Sequence, residues 1–448
     1  MPTIPSIPSI PCAVLATCLL GSLDALAGTE TATATPAIPE TPASTASGLL
    51  LGKLTGESAY DRIWSAFTLY KDENNPVLQE FSLQGRFQLQ YADGHADTAT
   101  GDDQHFDIGD VPHNNHDNGI WGDHLEARRA RIGFKSKWFQ NWKLEGQINV
   151  DLDGEDNSGH ATLYRNIYDL YLTYAPNDAF NVSVGRTKVK FSREQEISSK
   201  EILTFERGLV SNLLFPGELT GIWTNGKGID EHWLYELGVY GNDQVREFSA
   251  CDGGAIILGK VGYDYASLAG LDTAVASFHY MHNTQPGYKP GLDPDFSNGT
   301  SPAFTDSIAL TSDITQGRFG LTTEILYGFG FSGKADQQGA SKSIDQSDVF
   351  GITLIPSYFI ADGLQLVGRL QYATSADPNG LSLPGRYESR APNTSDGRTG
   401  DSYASAYLGL NYYLYGHKLK LMNGIEYSHL GGGNYDGYTF LSGLRFSF

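Results

Sequence analysis

The stretch VLQEFSLQGRFQLQY, residues 77–91, decides the fold. Val77, Phe81, Leu83, Phe87, Leu89 and Tyr91 fall on one parity, while Glu80, Ser82, Gln84, Arg86, Gln88 and Gln90 fall on the other. Side chains alternate faces along an extended chain, so this is a strand with one greasy and one hydrophilic face. Its length exceeds that of an ordinary globular strand. The pattern recurs in KLEGQINVDL (143–152), GLQLVGRLQY (363–372) and HKLKLMNGIEY (417–427). Sixteen such segments follow one another, near 78–91, 125–138, 142–152, 164–175, 179–188, 218–227, 232–241, 256–265, 272–282, 306–315, 317–329, 346–358, 362–373, 402–413, 417–428 and 436–448.

The connections alternate between tight turns, such as 139–141, 176–178, 361–363 and 415–417, and long loops, such as 92–124, 189–217 and 374–401. Long alternating strands with this rhythm predict an all-β chain: a 16-stranded antiparallel transmembrane β-barrel with short periplasmic turns and long extracellular loops. A soluble sandwich alternates too, but rarely with such long strands. The chain ends YTFLSGLRFSF on Phe448, an aromatic terminus on an alternating strand.

Composition agrees. The 448 residues include 52 Gly, 25 Tyr and 22 Phe but only 3 Met, which suits strands, turns and aromatic girdles. No apolar run approaches 18 residues, so no helix is expected to span a membrane. The formal charge of −21 argues against nucleic acid as a partner. Asp93–His124 holds eight Asp and no Lys or Arg, whereas Arg128–Lys143 is strongly basic.

Residues 12–23 are a short apolar core, and Ala25-Leu26-Ala27 reads as a cleavage site, so 1–27 is expected to be a signal peptide. A lipoprotein reading of Cys18 is weaker, because Thr17 is a poor residue before a modified cysteine. Residues 28–76 are read as a disordered linker and N-terminal extension, with an amphipathic segment around Ile63, Trp64, Phe67 and Leu69, and 77–448 as the barrel. Cys251 alone remains beyond the signal, which gives no disulfide framework. The loop histidines 95, 105, 113, 116 and 124 match no defined metal spacing, and a solvated acidic loop is preferred over a Zn²⁺ or Ca²⁺ site. No cofactor is implied. No Ser/His/Asp order or nucleophile elbow points to an enzyme.

A Lys or Arg facing lipid at the midplane costs roughly 2–4 kcal/mol, so charged positions should face the lumen. In LEARRARIGFKSKWF (125–139) this turns Arg129, Arg131, Lys135 and Lys137 inward and leaves Glu126 and Arg128 on the outer face near the rim. Arg86 and Arg369 are inward by the same rule. The resulting wall is modestly cationic, and a polar, unfilled interior of this width implies a channel.

The runs EARRARIGFKSKWFQNWKLEGQINVDL (126–152) and LYLTYAPNDAFNVSVGRTKVKFSREQEISSKEILTFERGLVSNLLFPG (170–217) resemble the phosphate-selective porins, the O and P porins. The resemblance covers strands two to five and the loop after them. It implies an outer-membrane homotrimer in contact with the lipid bilayer and lipopolysaccharide. It also implies passive diffusion of small anions such as phosphate, with the third loop, 189–217, folded inward as a constriction. Arg86, Arg129, Arg131, Lys135, Lys188, Lys190, Arg193, Lys200 and Arg369 are the candidate pore-lining residues for anion selectivity. The third loop nonetheless balances Lys190, Arg193, Lys200 and Arg207 against Glu194, Glu196, Glu201 and Glu206, a departure from a purely basic eyelet. A general non-selective porin stays open, and more distantly a barrel enzyme or a surface adhesin.

Overall fold

The computed structural model describes residues 58–97, 103–107, 125–150, 163–242, 247–249, 254–286, 304–330, 348–384, 386–390, 399–433 and 435–448. The expected signal peptide, most of the His/Asp-rich loop and Cys251 lie outside the described residues.

Sixteen antiparallel strands form the wall. They are β1 (Leu78–Asp97), β2 (Leu125–Trp138), β3 (Trp142–Val150), β4 (Tyr164–Asn177), β5 (Phe180–Lys188), β6 (Glu218–Lys227), β7 (Trp233–Gly241) and β8 (Ala255–Asp264). They continue as β9 (Thr273–Asn283), β10 (Asp306–Gln316), β11 (Phe319–Phe329), β12 (Val349–Ala361), β13 (Leu364–Ser375), β14 (Ser402–Tyr415), β15 (Leu419–Gly431) and β16 (Tyr435–Ser447). Each segment expected from the alternation is present. Each strand pairs with its sequence neighbours, and β16 returns to β1 with Phe446 opposite Phe87 and Leu444 opposite Leu89. The ring is therefore closed.

β16 is shorter than the edge it must cover. Its last pair is Ser447 with Arg86, after which Gly85 and Phe448 exchange backbone hydrogen bonds of 3.0 and 3.1 Å. Below that point the N-terminal extension takes over the edge. Leu83 donates to the Phe67 carbonyl at 2.8 Å, and the short strand Thr68–Lys71 sets Thr68, Tyr70 and Lys71 opposite Ser82, Phe81 and Glu80. The amphipathic segment ahead of it is a helix, α1 (Ala59–Ser65), started by a capping box between Ser58 and Asp61. Trp64 is its one buried residue, donating from Nε1 to the Ser447 carbonyl at 2.7 Å and packing on Tyr415 and Phe446. Ile63 and Leu69 of the same segment stay exposed.

Burial is inside-out relative to a soluble protein. Ile132, Val184, Ile222, Leu237, Leu310, Leu370 and Leu408 are exposed, whereas Gln84, Arg86, Gln88, Gln90, Arg369, Lys420 and Arg445 are buried. This is the division the alternation predicts, with lipid on the greasy side.

One assignment is corrected. Glu126 and Arg128 do not face outward. Gln88 opposes Arg129 but the next residue, Leu89, opposes Ala127, so Arg128 is the extra residue of a β-bulge. The bulge resets the parity, and both Arg128 and Glu126 point to the interior. There Arg128 bonds Glu206, and Glu126 bonds Arg386. Parity counting cannot see an inserted residue.

Leu370 is exposed at mid-strand beside the inward Arg369. Leu370→Arg should weaken folding into liposomes by about 2–4 kcal/mol, read from urea titrations of the heat-modifiable gel band. Unchanged stability would mean that Leu370 does not meet hydrocarbon.

Candidate functional site

The long connection between β5 and β6, residues 189–217, is the third of the long loops, and it lies within the ring. Its apolar residues Val189, Phe191, Phe205 and Leu214 are buried, Phe191 against His279 of β9. Its two short helices, α2 (Arg193–Glu196) and α3 (Leu209–Leu213), offer polar groups to strands far around the barrel. Gln88 of β1 donates to the Ser199 carbonyl at 2.8 Å, Asn411 of β14 to the Leu203 carbonyl at 2.9 Å, and Lys420 of β15 to the Ile202 carbonyl at 2.7 Å. Glu324 of β11 accepts from the Glu194 N–H at 2.6 Å, and Gln371 of β13 accepts from the Leu209 N–H at 3.0 Å. A loop tied to five strands in this way cannot flap freely. Buried backbone groups that would otherwise lack partners are the reason these side chains must be polar.

The loop's carboxylates are consumed by the wall. Glu206 takes a bidentate pair from Arg128, at 2.6 and 2.9 Å, with Arg129 at 3.4 Å. Burial raises the Glu206 carboxyl, but Arg128 and Arg129 outweigh it and hold the group well below the usual carboxylate range. Glu196 pairs with Lys260 and with Arg193, and those cations lower it against the desolvation. Glu194 is raised by burial, although Arg369 stands 3.9 Å away and the Gly208 N–H donates to it at 2.7 Å. Only Glu201 of the loop acids is exposed. The even balance of acids and bases in the loop sequence therefore does not describe the charge left facing water.

Described parts of the seventh long connection, between β13 and β14, also enter the ring. Leu381, Leu383, Tyr387 and Glu388 are buried, and Arg386 donates to Glu126 at 3.2 Å. Burial, then the neighbouring Glu426, pushes Glu388 up to about 7. Between the two loops and the wall is a cavity of about 470 Å³. Arg128, Arg129, Arg131, Lys188, Arg207, Arg369 and Arg386 line it against Glu206, Glu218, Glu388 and Glu426, a surplus of cations.

Of the candidate residues, Arg129, Arg131, Lys188 and Arg369 meet at this cavity. Arg369 is held by Glu426 at 2.8 and 2.9 Å. Arg131 bonds Asn149 at 2.6 Å and stacks its guanidinium 3.3 Å from the Tyr168 ring centre. Lys188 donates to the Gln195 carbonyl at 2.6 Å. The other five lie elsewhere. Arg86 is buried on Ser199 and Gln147, Lys135 reaches Glu145 at 3.6 Å, Arg193 reaches Asp313 at 2.7 Å, Lys190 is exposed, and Lys200 donates to the Phe448 carbonyl at 3.4 Å. Sequence reading passed over Arg128, Arg207 and Arg386 as lining groups. The adjacent pair Arg128-Arg129 was a legible sign of a bulge, since two neighbouring charges cannot both follow a strict alternation. Nothing local marks Arg386. Among the described residues no group of three or more His, Cys, Asp or Glu is placed to hold a metal ion.

A closed sixteen-stranded barrel with a greasy exterior, a polar interior and a loop tied across that interior defines an outer-membrane porin. This chain belongs to the phosphate-selective porin O and P family, whose family model matches residues 98–343. Its fold is also that of OmpF of Salmonella typhi, solved in complex with daunomycin, at TM-score 0.50 and 14% identity over 85% of this chain and 100% of that one. An anion-selective porin from Comamonas acidovorans aligns at TM-score 0.46 and 14% identity over 82% and 99% of the two chains. The outer-membrane channel DcaP of Acinetobacter baumannii aligns at 0.46 and 17% over 85% and 100%. No curated protein matches the sequence. The protein resides in the outer membrane and is a channel for small solutes.

Glu206→Gln would leave Arg128 buried without its counter-charge, and removing one partner of a buried pair costs about 3–5 kcal/mol. Faster proteolysis within 189–217 and a lower thermal midpoint are expected; an unchanged midpoint would show that the pair does not anchor the loop. Because Glu206 is depressed below its unfolded value of about 4.3, its stabilisation is complete above that pH and is lost only as pH falls through the lower folded value.

Proposed function

We propose that the channel prefers anions, phosphate among them, and that residues 189–217 form its constriction. The carrying observation is the fate of the loop carboxylates. Glu194, Glu196 and Glu206 are engaged by Arg, Lys and backbone N–H groups, while Arg131, Lys188 and Arg207 at the cavity bond, among the described residues, only neutral oxygens. A permeating ion responds to the wall it passes, so a −21 chain can present a cationic passage. Guanidinium and ammonium N–H groups replace part of the hydration that an anion sheds there.

Arg86, Arg129, Lys135, Lys190, Arg193, Lys200 and Arg369 complete the proposed cationic path, those with carboxylate partners acting chiefly to position the loop. A homotrimer exported by the residue 1–27 signal, embedded in the bilayer and touching lipopolysaccharide at its outer rim, is the assembly this reading assumes. Catalysis has no part in it.

Reversal potentials across planar bilayers in a KCl gradient test the reading. Chloride should permeate faster than potassium, and Arg131→Glu should reduce the permeability ratio roughly twofold or more. Potassium selectivity in the unaltered protein would replace this reading with a general porin.

Lys200 adds a pH signature. Burial, with Arg86 and Lys135 next, pushes its ammonium down to about 7. The group is charged below that pH and neutral above it, so anion preference should decline between pH 6 and pH 8. Lys200→Met should flatten the decline; a slope that survives the substitution assigns it to another group.

A further inference from the structure

We infer that the cavity ranks small organic carboxylates with an apolar body above inorganic phosphate. The inference rests on the anion preference proposed above and names the class of anion. Two of the cavity's cations that form no ion pair among the described residues are backed by rings. Arg131 lies 3.3 Å from the centre of the Tyr168 ring, and Lys188 Nζ lies 5.4 Å from that of Phe215. Both have donor capacity to spare. Arg131 uses Nε on Asn149 while its buried NH1 has no partner among the described residues, and Lys188 Nζ has the Gln195 carbonyl as its close acceptor.

Arg131 and Lys188 belong to the strand wall, and the third loop sets apolar side chains beside its polar Gln195, Ser199, Arg207 and Asn212 on the same cavity. Leu209, Leu213 and Phe215 follow one another along α3 and its exit, and all three line the same cavity. Phosphate presents oxygen in every direction, and each oxygen turned toward leucine or phenylalanine loses water without gaining a donor. A carboxylate has a charged end and a carbon end. It can place two oxygens on Arg131 and Lys188 while its body covers Leu213 and Phe215. The volume of about 470 Å³ lies within the range of small-molecule pockets, about 300–1,000 Å³, and far exceeds what one phosphate fills. Tyr168 and Phe215 offer flat faces for an aromatic body.

The test is block of KCl current through the full-length channel in planar bilayers at neutral pH, with sodium benzoate and sodium phosphate as the two probes. Benzoate should half-block at a concentration at least roughly fivefold below that of phosphate, the size of one aromatic contact. Phe215→Ser and Leu213→Ser, at half-exposed positions, should each raise the benzoate value by a larger factor than the phosphate value; an equal shift of both overturns the inference. Phosphate blocking as well as benzoate, or neither blocking, overturns the inference. If one variant fails to insert, the other and the unaltered channel still decide. A channel without chloride preference in KCl alone would instead overturn the anion reading beneath it.

Discussion

Hydrocarbon offers no hydrogen bonds, so every backbone N–H and C=O of a sheet placed in it needs a partner within the sheet. The ring must close, and here closure falls on the seam between β1 and β16. β1 is the longer strand and would keep a bare edge below Arg86. The N-terminal extension covers it. Trp64 fixes α1 to the Ser447 carbonyl, Phe67 receives the Leu83 N–H and stacks on Phe448, and the short strand Thr68–Lys71 completes the pairing. The amphipathic segment ahead of the barrel is thus part of the wall.

Closing sixteen strands creates an interior too wide for its own side chains to fill. The third loop enters that space, and its position is an electrostatic outcome. Cations on the wall and carboxylates on the loop attract one another where water is scarce, so the pairs Arg128–Glu206 and Lys260–Glu196 draw the loop across. Buried pairs of this kind fix position more than they add stability. Their consequence for transport is indirect. By neutralising the loop acids, they decide which cations remain to meet a solute. A charge count over the loop, or over the chain, misses this.

The strands were legible because the energetics of a membrane barrel are local. Each extended residue faces lipid or lumen according to parity, and the penalty for a charge on the wrong side writes the period into the sequence. The same rule placed Arg86, Arg131 and Arg369 inward. It failed at Glu126 and Arg128, where a bulge inserts one residue and shifts the count. It was silent on Arg386 and Tyr387, because a loop carries no parity and its destination depends on partners hundreds of residues away.

The sequence by itself determined the ring: the number of strands, their order, their turns and the face each gives to lipid. These follow from a repeat two residues long acting against a uniform solvent. Only the tertiary structure decided the passage inside it. Which cations keep a carboxylate, which ones lie against aromatic rings, and where the third and seventh loops meet all depend on distances between residues far apart in the chain. Coulomb attraction and desolvation act through space, and no spacing along the sequence encodes them.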